Sequence, residues 1–153
     1  MRGECGPRIS VVFDDRDGLV VADWVATLAC GRGDLDVDVL DLTAAGLPEV
    51  DRCGLPTPPA VRDLAPWLGF ADGFVVVAPR RFPSPLARAV RWCAAGWRAK
   101  PVAVAGVAPA PLVALLAAVP VALVGGPIHF PDRFTADPVL AEFARIPYEQ
   151  RKE

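Results

Sequence analysis

The stretch ADGFVVVAPRRFPSPLARAVRW, residues 71–92, decides the fold. Its apolar run, residues 74–78, lies between an Asp-Gly turn and a proline-rich loop, and a helical pattern follows. A short run with β-branched residues and no polar alternation is typical of a strand buried on both faces, in the middle of a parallel sheet. Because ligands of such sheets bind beyond the carboxyl ends of the strands, the loop at 79–82 is the first candidate for a functional site.

The size and composition of the chain fit one globular domain. It has 153 residues, of which 53% are hydrophobic, and a formal net charge of -2. A chain of this length can bury a sizeable core, and a charge this small argues against electrostatic binding to nucleic acid. We therefore predict a single domain over residues 1–153, with its core in about 8–146 and no nucleic-acid partner.

The charge is unevenly distributed along the chain. Between Asp72 and Asp132 the sequence has no acidic residue but has six basic ones. This pattern has two interpretations: a solvated helix face, or a cationic face for a phosphate-bearing ligand or an acidic partner.

Four cysteines and one uncharged segment bear on the compartment. Cys5, Cys30, Cys53 and Cys93 lack the paired spacing of a zinc site or a redox CxxC motif, and the start does not read as a signal peptide. We therefore expect reduced thiols in a cytoplasmic protein, with Cys93 in the core. Residues 101–128 carry no charge, but five prolines and three glycines divide them into two short buried strands and a helix, which favours a soluble protein over a membrane span.

The remaining elements follow from the hydrophobic periodicity. Strands are predicted at 8–13, 36–42, 74–78, 102–105 and 121–124, the second of them near a sheet edge because it alternates. Helices are predicted at 19–29, 59–69, 86–97 and 112–119, with a long loop at 43–59 that has room for one short turn, and a last helix opening at Asp137-Pro138. Since strands and helices alternate, we predict an α/β fold with a parallel sheet covered by helices on both faces.

This ordered series resembles the flavodoxin-like NAD(P)H-dependent FMN reductase family over about residues 8–146. The best-matched segments are 37–42, 46–48, 58–62, 71–92 and 100–104. The resemblance implies a flavodoxin-like three-layer sandwich with a five-stranded parallel sheet in the order 2-1-3-4-5. It also implies FMN as cofactor, NAD(P)H as reductant, a small-molecule ligand and a homodimer, for which the helix bearing Arg88, Arg91 and Trp92 is a candidate interface.

Three loops bind the flavin in that family, and each differs here. The first usually reads Gly-Ser-x-Arg-x-x-Ser but is FDDRDGL at 13–19, and the second usually reads Pro-Glu-Tyr-Asn but is the shorter PRRFP at 79–83. The third is GVAP at 106–109. The resemblance implies phosphate binding by Arg16 and the amides near Gly18, and a flavin ring framed by the second loop. The implied cofactor-binding residues are Asp15, Arg16, Gly18, Pro79, Arg80, Arg81, Phe82 and Gly106.

The sequence leaves two other functions open. Three carboxylates in the first loop would repel a phosphate dianion, so the chain is alternatively a flavin-free descendant: an accessory or binding protein, or an enzyme that holds another anionic ligand on Arg80 and Arg81. Residues 15–18 also resemble the Asp-x-Asp-Gly motif of Mg²⁺-dependent haloacid-dehalogenase phosphatases, although Leu19 replaces the expected Thr and no later acidic pair follows. A simpler interpretation of these aspartates is capping of the following helix.

Catalytic and metal-binding residues are less well indicated. His129 is the only histidine, which excludes a multi-histidine metal centre. It follows the last predicted strand, near the expected ligand side, and we expect a structural role for it rather than acid/base catalysis. No catalytic residue and no metal site are assigned from the sequence.

Overall fold

The computed structural model describes residues 6–48, 57–81, 84–119 and 121–147. Within these ranges the strands are β1 Arg8–Phe13, β2 Asp36–Asp41, β3 Gly73–Val77, β4 Pro101–Ala105 and β5 Ala122–Leu123. The helices are α1 Arg16–Arg32, α2 Leu42–Ala45, α3 Pro59–Phe70, α4 Pro85–Trp92, α5 Ala94–Trp97, α6 Ala110–Ala118 and α7 Arg133–Ala144.

All strand pairs are parallel, and the sheet order is β2-β1-β3-β4-β5. The predicted flavodoxin-like order is therefore confirmed. Every residue of β3 is buried, because its apolar side chains point alternately toward helices on the two faces of the sheet. The alternating strand β2 lies at the edge, as its pattern predicts.

Two hydrophobic cores, one on each face of the sheet, make the three layers. On one face, Val11 of β1 and Val75 of β3 pack with α1 and α7. On the other, Val12 and Val76 pack with α2 to α6. Phe74 and Trp97 stack in this second core at 4.1 Å between ring centroids, and both are fully buried. The domain thus has the apolar interior that the composition predicts.

The helix boundaries correct several predictions. The predicted helix at 86–97 is two helices, because Cys93 leaves helical geometry with φ -117° and ψ 37°. The last helix begins at Arg133 and not at Asp137, since Asp132 caps it by accepting a hydrogen bond from the Phe134 N–H. Pro138 therefore lies inside that helix and not in its first turn.

The loop after β2 agrees with its prediction, and the last strand does not. The short turn expected in the loop at 43–59 is α2, whose first turn is capped by the Asp41 side chain; residues 49–56 lie outside the described ranges. The predicted buried strand at 121–124 is only Ala122–Leu123, and both of its residues are exposed. As an edge strand, β5 pairs on one side only, and that pairing is with β4.

The described residues include two of the four cysteines. Cys30 is exposed and Cys93 is buried in the core as predicted, and both thiols are free; Cys5 and Cys53 lie outside the described ranges. Of the helices within these ranges, none combines the length and the apolar character that crossing a membrane requires.

We predict that Gly73→Ala destabilises the protein by about 1–3 kcal/mol, the usual cost of overpacking a core. A Cβ atom at this position would lie 2.7 Å from Phe143 Cε1 and 3.1 Å from the Pro101 carbonyl oxygen. Urea denaturation measures the change. The matched control is Gly69→Ala in α3, where a Cβ meets nothing within 4 Å; it should leave stability unchanged or raise it by up to about 1 kcal/mol. Equal stability of the Gly73 variant and the wild type would contradict the packing described here.

Candidate functional site

A cleft lies at the carboxyl ends of β1 and β3. The helix that follows β1 covers one face of the sheet and the helix that follows β3 covers the other, so the two chain segments diverge and leave a crevice between them. Two cavities of about 650 and 440 Å³ occupy this crevice, and Asp15, Asp17 and Arg80 line both of them. Their sizes are those of small-molecule sites.

The first cavity is the more highly charged one, with residues of both signs. It is lined by Asp14, Asp15, Arg16, Asp17, Arg80, Arg81, Ser84 and Pro85. Its three carboxylates come from the end of β1 and the start of α1. Its three arginines are Arg16, in the first turn of α1, and Arg80 and Arg81, in the loop after β3. The charges of the lining residues therefore balance, and the cavity is not a strongly cationic anion site.

Asp15 caps the N-terminus of α1. Its Oδ1 accepts a hydrogen bond from the Gly18 N–H at 2.7 Å, and its Oδ2 lies 3.5 Å from the Arg80 backbone N–H. Helix N-termini carry unpaired N–H groups and a partial positive charge, so a carboxylate here stabilises the helix. The capping interpretation of the first-loop aspartates is confirmed for Asp15.

Asp17 pairs with Arg80 across the cleft. The Arg80 Nη1 donates to Asp17 Oδ2, which joins the loop after β3 to the first turn of α1. Both side chains are mostly exposed, and such pairs add little to stability. The effect of the pair is on the site: it places an already neutralised guanidinium where the two cavities meet.

Asp14 faces away from the first-turn amides of α1. Its side chain is buried, and Oδ2 accepts a hydrogen bond from the Leu86 N–H at 3.1 Å, in the first turn of α4. Burial raises the pKa of Asp14, with smaller contributions from the Asp15 and Asp41 carboxylates, while the Ser84 hydroxyl and the Leu86 amide oppose the rise. Asp14 thus ties β1 to α4 at the cost of keeping a carboxyl out of water.

The buried hydroxyl of Ser84 also borders the first cavity. Its oxygen lies close enough to Asp14 to influence the pKa of that carboxyl, but it makes no hydrogen bond of normal geometry among the described residues. Buried polar atoms usually have such a partner. The first cavity therefore contains one polar group whose hydrogen-bonding capacity is not fully used by the described part of the chain.

The second cavity is built mainly from strand ends and apolar side chains. Besides the shared residues it is lined by Gly18, Val21, Val77, Ala78, Pro79, Ala105, Gly106, Val107, His129 and Phe130. Gly106 has φ 104°, a left-handed conformation that favours glycine, and its N–H donates to the Ile128 carbonyl at 2.8 Å. The Phe130 ring packs edge-on against the Trp24 ring, with 5.3 Å between the ring centroids. This cavity offers an apolar wall at the end of β3, with charged side chains where it borders the first cavity.

The structure gathers the predicted cofactor residues at this one cleft. Asp15 and Arg80 line both cavities, Arg16 and Arg81 line the first, and three more line the second: Gly18, Pro79 and Gly106. Arg81 therefore lines the first cavity only, although the resemblance implied that it lies beside the flavin ring. Phe82 lies outside the described residues.

Some lining residues were not predicted. His129 lies at the ligand side as expected, but its neighbour Phe130 was missed, because nothing in an irregular segment indicates which side chain turns toward the sheet. Ser84 was missed for a similar reason. The signal that could have found Val77 and Ala78 is their position at the carboxyl end of a central strand.

The phosphatase alternative finds no support at this site. Both Asp15 oxygens face backbone N–H groups, at 2.7 Å for Gly18 and 3.5 Å for Arg80. Across the described ranges, no three His, Cys, Asp or Glu side chains come together as metal ligands.

Comparison with known proteins agrees with the geometry. The family model described as NADPH-dependent FMN reductase matches residues 13–134, most of the chain. No curated protein matches. The match confirms the resemblance drawn from the sequence.

Solved structures share the fold. The flavoenzyme NAD(P)H:(acceptor) oxidoreductase FerB from Paracoccus denitrificans is 18% identical with a TM-score of 0.68, over 90% of this chain and 93% of that one. The diflavin flavoprotein A3 from Nostoc sp. is 17% identical with a TM-score of 0.57, over 92% and 91%. A flavodoxin from the domain Archaea is 14% identical with a TM-score of 0.53, over 95% and 96%. Identities this low establish the flavodoxin-like fold alone.

Asp14 gives a pH-dependent prediction. Because its pKa is higher in the folded protein than the ordinary 3.8, the folded state binds more protons, and its contribution to stability falls as pH rises from about 3.8 through the raised value. Asp14→Asn removes this effect, so the variant should gain stability relative to wild type as pH rises through that window. Urea unfolding at a series of pH values measures the difference.

The control for this experiment is Asp34→Asn. The Arg32 guanidinium lowers the pKa of Asp34, so the wild-type carboxylate stabilises the fold above its unfolded pKa and that stabilisation is lost as pH falls. The Asp34 variant should therefore lose stability relative to wild type as pH rises, the opposite slope. A difference between Asp14→Asn and wild type that is constant with pH would contradict the burial assigned to Asp14.

Proposed function

The chain belongs to the NADPH-dependent FMN reductase family as an NAD(P)H-dependent flavin oxidoreductase-like protein, and we propose that it transfers electrons from NAD(P)H to a flavin held in the two-cavity cleft. Membership supports FMN as cofactor and NAD(P)H as reductant. The observation that carries the proposal is the place of the cleft: it lies at the β1/β3 switch point, where flavodoxin-like folds hold FMN. A bound flavin would supply the hydride chemistry, and the chain would bind and orient it.

The second cavity fits the flavin ring. Val77, Ala78 and Pro79 form an apolar wall at the end of β3, and Gly106 leaves backbone accessible at the end of β4. Because glycine has no side chain, a flat ring can approach the backbone there. Phe130 closes one side of the same cavity. These contacts would orient the ring and keep water from one of its faces.

The first cavity does not fit a phosphate bound on the α1 amides. In this fold the helix N-terminus is the natural anion site, but here the Gly18 N–H is bonded to Asp15 and Arg80 is paired with Asp17. Arg16 and Arg81 also line this cavity. We therefore assign the second cavity to the ring and assign no phosphate contact to the helix terminus.

A titration with FMN tests the proposal. Purified protein is examined by visible absorption, titrated with FMN by fluorescence, and assayed for flavin-dependent oxidation of NADPH and NADH. We expect saturable binding and flavin-dependent oxidation. No titration signal and no oxidation would overturn the proposal and favour the flavin-free alternative, a binding protein or an enzyme on another anionic ligand.

A substitution locates the binding site. Val107 lines the second cavity and is 83% exposed, so Val107→Asp should leave the fold intact while placing a charge beside the ring. We expect FMN affinity to fall about tenfold, or about 1.4 kcal/mol. The matched control is Val113→Asp on α6, where the side chain is 49% exposed and lines neither cavity. Equal affinities of the two variants would contradict the placement of the ring.

We further propose a homodimer that acts in the cytoplasm. The free thiols of Cys30 and Cys93 suit a reducing compartment. The exposed side chains of Phe130 and Phe134 are apolar surface that a second subunit could cover. Trp92 is a weaker candidate than the sequence indicated, because its Nε1–H donates to the Pro48 carbonyl of the same chain.

The subunit mass in solution, measured by sedimentation equilibrium, tests the dimer. We expect the mass of two chains, and Phe134→Ser should shift the equilibrium toward single chains because it removes exposed apolar surface. A wild-type protein with the mass of one chain at every concentration would contradict the dimer.

A further inference from the structure

We propose that this site recognises flavins by the ring and the sugar-alcohol chain and gains little from the terminal phosphate, so that riboflavin binds about as tightly as FMN. Asp15 and Asp17 are the residues that set this preference. The inference rests on the proposed flavin oxidoreductase function and specifies its ligand class: flavins with or without phosphate.

A phosphate at the start of α1 would compete with Asp15 for the Gly18 N–H. The Asp15 Oδ1 already accepts the Gly18 N–H at 2.7 Å. A phosphate can use that donor only by displacing a carboxylate that belongs to the same chain and is held three residues away, and an intramolecular competitor of this kind acts at a high effective concentration. The phosphate therefore gains little from the helix terminus.

The carboxylates around Arg80 also disfavour a phosphate. Arg80 lies where the two cavities meet, but its guanidinium is paired with Asp17, and its backbone N–H faces Asp15 Oδ2 at 3.5 Å. A dianion placed here would have to break the ion pair and would lie close to two carboxylates. Like charges at short range repel, and the exposure of Asp17 and Arg80 to water moderates this repulsion without removing it.

The buried hydroxyl of Ser84 is the third feature that favours an uncharged group. It is 6% exposed, lines the first cavity and has no normal hydrogen bond within the described ranges. A hydroxyl can both donate and accept a hydrogen bond, so it suits the neutral hydroxyl groups of a sugar-alcohol chain. A balanced cavity with such a group favours an uncharged polar substituent over a dianion.

The experiment compares the dissociation constants of FMN and riboflavin, measured by fluorescence titration of the full-length chain. In the wild type we expect the two constants to agree within about threefold, which corresponds to less than 1.4 kcal/mol. In the double variant Asp15→Gly, Asp17→Asn, the Gly18 N–H and the Arg80 guanidinium lose their carboxylate partners, although the Gly18 N–H keeps its 3.0 Å bond to the backbone carbonyl of residue 15. FMN should then bind on the order of tenfold more tightly, while riboflavin affinity stays the same.

Two controls keep the test specific. Glycine is itself an acceptable N-cap, so α1 should persist in the double variant, and Asp17→Asn alone provides a second variant with the cap intact and a smaller expected gain for FMN. Asp23→Asn removes a charge from an exposed position of the same helix that lines neither cavity. It should leave both dissociation constants unchanged.

The outcomes separate the two proposals. Binding of FMN at least tenfold tighter than riboflavin by the wild type would overturn this inference and leave the proposed function standing. An unchanged ratio in both Asp variants would overturn the roles of Asp15 and Asp17. Binding of neither flavin would overturn the proposed function, and this inference with it.

Discussion

The hydrogen bond from the Gly18 N–H to the Asp15 carboxylate is the contact on which the site depends. The first turn of a helix offers unpaired amides and a partial positive charge to one anion, and here that anion is part of the chain. The same carboxylate faces the loop after β3, where Arg80 meets Asp17. The cap on α1 therefore lies beside the Asp17–Arg80 pair, between the highly charged first cavity and the less charged second one.

The rigid sheet explains why the capping contact of Asp15 affects the rest of the site. Because β1 and β3 are buried on both faces and paired in register from Ile9 and Gly73 onward, their carboxyl ends are held rigidly at the edge of the sheet. Side chains that follow these ends have little freedom to avoid one another. Asp14 illustrates the constraint: the chain buries it against α4, and its pKa rises as a result. In the proposed function the fold sets where the flavin would lie, and these few carboxylates would set how it is held.

Much of the fold could be predicted from the sequence, because buried and exposed positions repeat with the period of the strand or helix. The uninterrupted run of β3 and the alternation of β2 place these strands at the centre and the edge of the sheet. Hydrogen bonds between neighbouring residues produce no such repeat and are harder to predict. The Asp132 cap decides where α7 begins, although Pro138 resembles a proline of a first helical turn. The site has the same ambiguity. A carboxylate and a phosphate satisfy the same amide, so the pattern at 13–19 shows an anion-binding terminus but not which anion occupies it.

The most direct test of this account is a crystal structure of the chain with bound FMN. We expect electron density for the ring beside Val77, Ala78 and Gly106, with the Asp15 Oδ1 still accepting the Gly18 N–H and the phosphate away from the α1 amides. A phosphate bonded to the Gly18 N–H, with Asp15 turned out of the cleft, would contradict the claim that the chain supplies its own anion at this helix terminus.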